Sequence, residues 1–151
     1  MKQTVDPFGI FFQLRYVARD IRGAVAMLET RMGARRIDLI SDFADPAGNA
    51  VAIRSLAHLS MGDVEIEIIQ PRLNWPSIYL DALPIGGAMI GLHHLGYMQS
   101  DMPSWEAAMR TIRASGMDIA MEGDTPNARF AYVDTRPLVG HFTEMVYRAS
   151  R

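Results

Sequence analysis

An α+β fold built from two βαβββ modules is predicted by three observations in this sequence. A segment recurs: Phe12-Gln13-Leu14-Arg15-Tyr16-Val17-Ala18-Arg19-Asp20 aligns with His93-His94-Leu95-Gly96-Tyr97-Met98-Gln99-Ser100-Asp101. An amphipathic helical pattern follows each copy. Three extended segments, separated by turn-forming residues, follow each helix. An internal repeat of this kind is one supersecondary unit used twice, and strands gathered around a single helix per unit read as α+β.

Each copy reads as a strand that ends at an aspartate, and a polar side chain, Gln13 or His94, stands seven residues before that aspartate. Asp20 and Asp101 suit helix N-caps, because a carboxylate accepts from the free amides of a first turn. Ile21, Val25, Leu28 and Met32 then recur at helical spacing, as do Met102, Trp105, Met109 and Ile112. Gly33 and Gly116 follow as left-handed stops. The three extended segments are 34–40, 51–59 and 64–70 in the first half, and 118–121, 128–134 and 142–147 in the second. Turns are expected at Asp45-Pro46-Ala47-Gly48-Asn49, Met61-Gly62-Asp63, Gly123-Asp124-Thr125-Pro126-Asn127 and Pro137 to Gly140. The whole of 1–151 reads as a single domain, with modules 10–71 and 92–148 joined by a linker 72–91 that holds a short helix around 77–83.

Composition narrows the function. At 151 residues, 49% of them hydrophobic, the chain is long and apolar enough to bury a core. A net charge of −2 gives no electrostatic footprint for nucleic acid, so no nucleic-acid partner is expected. With no cysteine, thiolate nucleophiles, disulfides, iron–sulfur clusters and cysteine-held zinc are excluded. No apolar run of about 18 residues appears, so no membrane partner is expected. Met1 to Gly9 carries Asp6 and Pro7 without a long apolar stretch. No signal peptide is read there, and a cytoplasmic location is expected.

Strand periodicity assigns faces. Gln13, Arg15 and Val17 lie opposite Leu14, Tyr16 and Ala18. Glu65, Glu67 and Ile69 lie opposite Val64, Ile66 and Ile68. His94, Gly96 and Met98 lie opposite Leu95 and Tyr97, and Phe142, Glu144 and Val146 lie opposite Thr143 and Met145. One face therefore packs on the helices, and the other carries Gln13, Glu67, His94 and Glu144. That second face is either a site or a plain wet face of an antiparallel sheet.

These residues resemble the vicinal oxygen chelate superfamily, which includes glyoxalase I, methylmalonyl-CoA epimerase, extradiol dioxygenases and bleomycin-resistance proteins. The resemblance covers residues 10–148. It is carried by a polar residue seven before the aspartate that opens each half, and by an acidic residue in each final strand, Glu67 and Glu144. It implies a curved mixed sheet forming a cup, with Gln13, Glu67, His94 and Glu144 as ligands of one divalent metal ion. The modules of such a cup pair within a chain or across a homodimer, and a homodimer is the expected assembly. One imidazole and three oxygen ligands suit zinc, nickel, cobalt, manganese or ferrous iron. The ligand pattern is similar to that of zinc-using glyoxalase I, whereas Gln13 departs from the two-histidine set of extradiol dioxygenases.

The resemblance implies a lyase or isomerase acting on a small carbonyl substrate by proton abstraction through a metal-stabilised enediolate. Glu144 would be the base and Glu67 the second carboxylate. The alternatives are a methylmalonyl-CoA-epimerase-like enzyme and a metal-free small-molecule binder of the bleomycin-resistance type. Val17 stands where glyoxalase I has an arginine, so glutathione is not implied. The stretch 41–49 has aspartates but no glutamate to serve as an epimerase base.

Among the other residues, Arg15 and Met98 share the polar face and are expected to meet substrate. Arg129 reads as a solvated rim arginine. His58 shares a face with Arg54 and Leu56, where it either lines the cup or, as the favoured reading, is a hydrogen-bonded structural histidine. His93 must point away from His94, and His141 lies opposite Glu144, so both are read as structural. Trp75, with Ile78 and Tyr79, either covers the mouth of the cup or packs the linker down.

Overall fold

A computed structural model describes residues 8–45 and 47–149. The expectations that fall on Met1, Asp6, Pro7 and Pro46 therefore lie outside the described residues. The elements run β1 (Ile10–Val17), α1 (Ile21–Met32), β2 (Arg35–Ile40), β3 (Ile53–Met61), β4 (Val64–Pro71), a 3-10 turn (Leu80–Ala82), β5 (Gly91–Gln99), α2 (Met102–Ala114), β6 (Ile119–Thr125), β7 (Ala128–Val133), α3 (Arg136–Val139) and β8 (Phe142–Arg148). This is βαβββ twice, α+β with mixed strand pairing, as the repeat predicts. Among the described residues no helix is long and apolar enough to cross a membrane.

The chain forms two compact units. Among the described residues, one comprises 13–93, and the other 94–149 together with 8–12. In the N-terminal unit the strand order is β2-β3-β4-β1, with β1 parallel to β4 and the other neighbours antiparallel. In the C-terminal unit the order is β5-β8-β7-β6, with β5 parallel to β8 and the other neighbours antiparallel. Each parallel pair joins the first and last strand of its own module.

Asp20 caps α1 by accepting from the Gly23 amide, and Gly33 closes the helix at φ 70°. The buried stripe is Ile21, Ala24, Val25 and Leu28, packed on Ala57, Leu59, Ile66 and Ile68. Met32, expected on that stripe, is 54% exposed because the helix ends there. Asp101 caps α2 by accepting from the Ser104 amide. These bonds, with the Ser104 side chain contributing most, hold the Asp101 carboxyl below its ordinary range. The backbone turns left-handed at Gly116 (φ 80°), one residue beyond the cap at Ser115. Trp105, Ala108, Met109 and Ile112 of α2 pack on Ala131, Val133 and Met145.

The opposite sheet face of the N-terminal unit is apolar at one end and polar at the other. Val17, Leu56 and Ile69 are covered by Tyr79 and Leu83, with Ile78 packed against them. Part of the expected linker is thus core, while Trp75 stays 43% exposed. The expected helix shrinks to the turn Leu80–Ala82. Gly91 anchors the return of the chain: a Cβ there would stand 2.0 Å from the Ala82 carbonyl oxygen. Because backbone must move to relieve that clash, Gly91→Ala should cost roughly 1–3 kcal/mol, the usual range for overpacking. Urea unfolding checks this, and a midpoint equal to wild type would refute the close packing.

Candidate metal and proton-transfer site

Register places the polar residues. The parallel β1–β4 ladder sets Gln13 beside Glu65 and Arg15 beside Glu67, and the β3–β4 hairpin sets His58 beside Glu67. Neighbours in register project to one face. Gln13 Nε2 donates to Glu65 Oε1 at 2.8 Å. Arg15 grips Glu67 Oε2 through Nε at 2.9 Å and also through Nη2. His58 Nε2 lies 3.7 Å from Glu67 Oε1, while its Nδ1 lies 2.7 Å from Asp38 Oδ1. Gln13 and Glu67 are buried at 2% and 4% exposure.

The C-terminal unit is simpler. Its parallel ladder sets His94 beside Phe142 and Gly96 beside Glu144. His94 Nε2 lies 3.1 Å from Glu144 Oε2, with the residues 0% and 5% exposed. The Tyr132 ring meets the imidazole edge-on at 4.9 Å. The repeat explains the contrast between units. Gly96 aligns with Arg15, so no side chain stands beside Glu144 where a guanidinium stands beside Glu67.

Of the four expected ligands, His94 and Glu144 are in direct contact, and Gln13 and Glu67 share one cluster with Glu65 between them. Arg15 sits on the expected face, bound to Glu67. Met98 lines a cavity of about 580 Å³ with Gly9, Ser104 and Ala108, and none of the four expected ligands lines that cavity. Arg129 pairs with Asp124 at 3.0 Å on the surface. His93 Nε2 lies 3.1 Å from the Ile78 carbonyl, and His141 Nδ1 lies 2.8 Å from the Phe142 carbonyl, both structural roles. Asp45 serves its own turn. The Asn49 amide, first among several donors, keeps its carboxyl below the ordinary range.

Sequence reading did not nominate Glu65, and it favoured a structural role for His58 without its pairing to Asp38 and Glu67. The signal was available. A two-residue turn at Gly62-Asp63 pairs Met61 with Val64, and counting back pairs His58 with Glu67.

The profile of the Glyoxalase/Bleomycin resistance protein/Dioxygenase superfamily matches residues 12–132. The chain belongs to this superfamily. No curated protein matches its sequence. Among solved structures, a hypothetical protein from Bacillus halodurans superposes with a TM-score of 0.67 at 14% identity, over 93% of this chain and 95% of the other. Methylmalonyl-CoA epimerase from Mycobacterium tuberculosis gives 0.65 at 18% identity, over 93% and 88%. Methylmalonyl-CoA epimerase from Streptomyces coelicolor, in complex with 2-nitronate-propionyl-CoA, gives 0.66 at 16% identity, over 95% and 99%. At these identities the likeness is one of fold.

Proposed function

We propose that the protein is a metal-dependent lyase or isomerase that moves a proton beside a carbonyl group, with Gln13, Glu67, His94 and Glu144 as metal ligands. The observation that carries this reading is the His94–Glu144 contact. An imidazole and a carboxylate, both nearly sealed from water, converge at 3.1 Å from neighbouring parallel strands, two positions apart in register. A neutral imidazole nitrogen and a carboxylate oxygen brought together in this way are donors of the kind that a dication takes.

The donor set fits such an ion. Two carboxylates balance a double positive charge, and one imidazole nitrogen among oxygen donors suits zinc, nickel, cobalt, manganese or ferrous iron. When bound, the ion would polarise the carbonyl oxygen and stabilise the enediolate charge. Glu144 takes the proton from the carbon and returns it, and Glu67 is the second carboxylate. Arg15, if released from Glu67, would clamp an anionic substrate group bidentately. Met98 is proposed to contact the substrate.

Two substrate classes fit the same proton transfer. The ligand pattern supports a 2-oxoaldehyde adduct, as in glyoxalase I. The fold shared with two methylmalonyl-CoA epimerases supports an acyl-CoA with an acidic α-hydrogen. The test is solvent deuterium exchange at the α-carbon of both classes, followed by NMR with and without chelator. Exchange that chelation abolishes and metal restores supports the reading. No exchange in either class, together with tight binding of small aromatic ligands by metal-free protein, would favour a binder of the bleomycin-resistance type.

A further inference from the structure

We infer that the N-terminal unit carries its own divalent-cation site on His58, Glu65 and Glu67. One donor atom from each lies within 4.8 Å of the other two. Metal–donor bonds of about 2.1 Å put two ligands of one ion at most ~4.2 Å apart, so small side-chain rotations close the set.

Proximity alone would be weak, since polar sheet faces often gather acids. What distinguishes this cluster is that each of the three is held from behind by a different residue. Asp38 takes the Nδ1 side of His58, which fixes the tautomer that leaves Nε2 with its lone pair toward Glu67. Gln13 holds one oxygen of Glu65 and leaves the other for a cation. Arg15 holds Oε2 of Glu67 and leaves Oε1 on the His58 side. Outer partners that orient each ligand are the pattern by which metal sites fix ligand geometry and basicity. Asp38, Glu65 and Glu67 bring three carboxylates to the cluster, of which Arg15 pairs with Glu67. One nitrogen and two carboxylate ligands leave coordination positions for water, which suits zinc, cobalt or manganese over a hard all-oxygen ion.

This site requires nothing from His94 or Glu144, so it differs from the ligand set proposed above in everything but Glu67. Glu67 belongs to both sets, and the decisive variants therefore leave it in place. Zn2+ is titrated by calorimetry into chelator-stripped full-length protein, with Co2+ absorption as a second readout and thermal melts to confirm folding. Wild type is compared with His58→Gln/Glu65→Gln, with Asp38→Asn and with His94→Gln/Glu144→Gln.

The expected result is loss of one bound ion in His58→Gln/Glu65→Gln, its retention in His94→Gln/Glu144→Gln, and at least about tenfold weaker binding in Asp38→Asn, as for other outer-shell changes. If each double variant loses a different ion, both sites stand. If only His58→Gln/Glu65→Gln loses one, this site stands and the four-ligand set fails. Wild-type titration by a folded His58→Gln/Glu65→Gln variant, or no ion in any protein, overturns the inference.

Discussion

Glu144→Gln is expected to slow metal-dependent α-proton exchange by about a thousandfold, within the range for loss of a general base. The amide keeps the shape of the carboxylate, so the packing beside His94 does not change for steric reasons. What it loses is the ability to hold a proton taken from carbon. The measurement is the rate of deuterium incorporation at saturating metal, with the melting temperature as control. A rate within a few-fold of wild type in folded, metal-loaded variant would move the base elsewhere, with Glu67 next to test.

Arg15→Ala is expected to produce the largest loss of stability among single changes at the site. The Arg15–Glu67 pair is shielded, with side-chain exposures of 12% and 5%. Removing one member of a shielded pair leaves a carboxylate without its strongest partner, a change that costs about 3 kcal/mol or more. For a chain of this length that corresponds to a fall in Tm of roughly 6–12 °C. Arg15→Ala/Glu67→Gln should recover most of it, because the orphaned charge is then gone. Equal stability of Arg15→Ala and wild type would show that the pair contributes little.

The same pair marks where sequence reading stops. Period-two alternation put Arg15 on the face with Gln13, and Glu67 on the face with Glu65, which the contacts bear out. It could not say that Arg15 meets Glu67, because that depends on the register of a parallel pair separated by a helix and two strands. Helix ends were legible, since Asp20, Asp101 and Gly33 act through local backbone chemistry. Strand β6 was not fully legible. Its Gly123 reads as a turn, yet it lies inside the strand, where an added Cβ would stand 2.2 Å from the Phe130 ring. The aromatic ring takes the place of the missing side chain. Helix α3 was hidden for a related reason. Pro137 and Gly140 signal a turn, but Pro also suits a helix start, and Gly140 at φ 83° ends this one four residues on.

The expected linker shows a third limit. Pro76, Pro84 and the Gly86-Gly87 pair suggested a tether. Tyr79 and Leu83 instead seal the apolar end of the sheet face whose other end carries His58, Glu65 and Glu67. Nothing local in the sequence announces that contact, because the partners Val17, Leu56 and Ile69 come from three different strands.

A buried His94–Glu144 pair that serves a metal ion must show itself in the metal the protein holds. The most direct measurement is the metal content of purified protein by mass spectrometry, before and after incubation with zinc, nickel, cobalt and manganese, for wild type beside His94→Gln/Glu144→Gln. The variant, folded by its melting curve, is expected to hold one divalent ion fewer per chain. Equal metal content in the two proteins, or none in either, would contradict it and leave His94 and Glu144 as a hydrogen-bonded pair of the core.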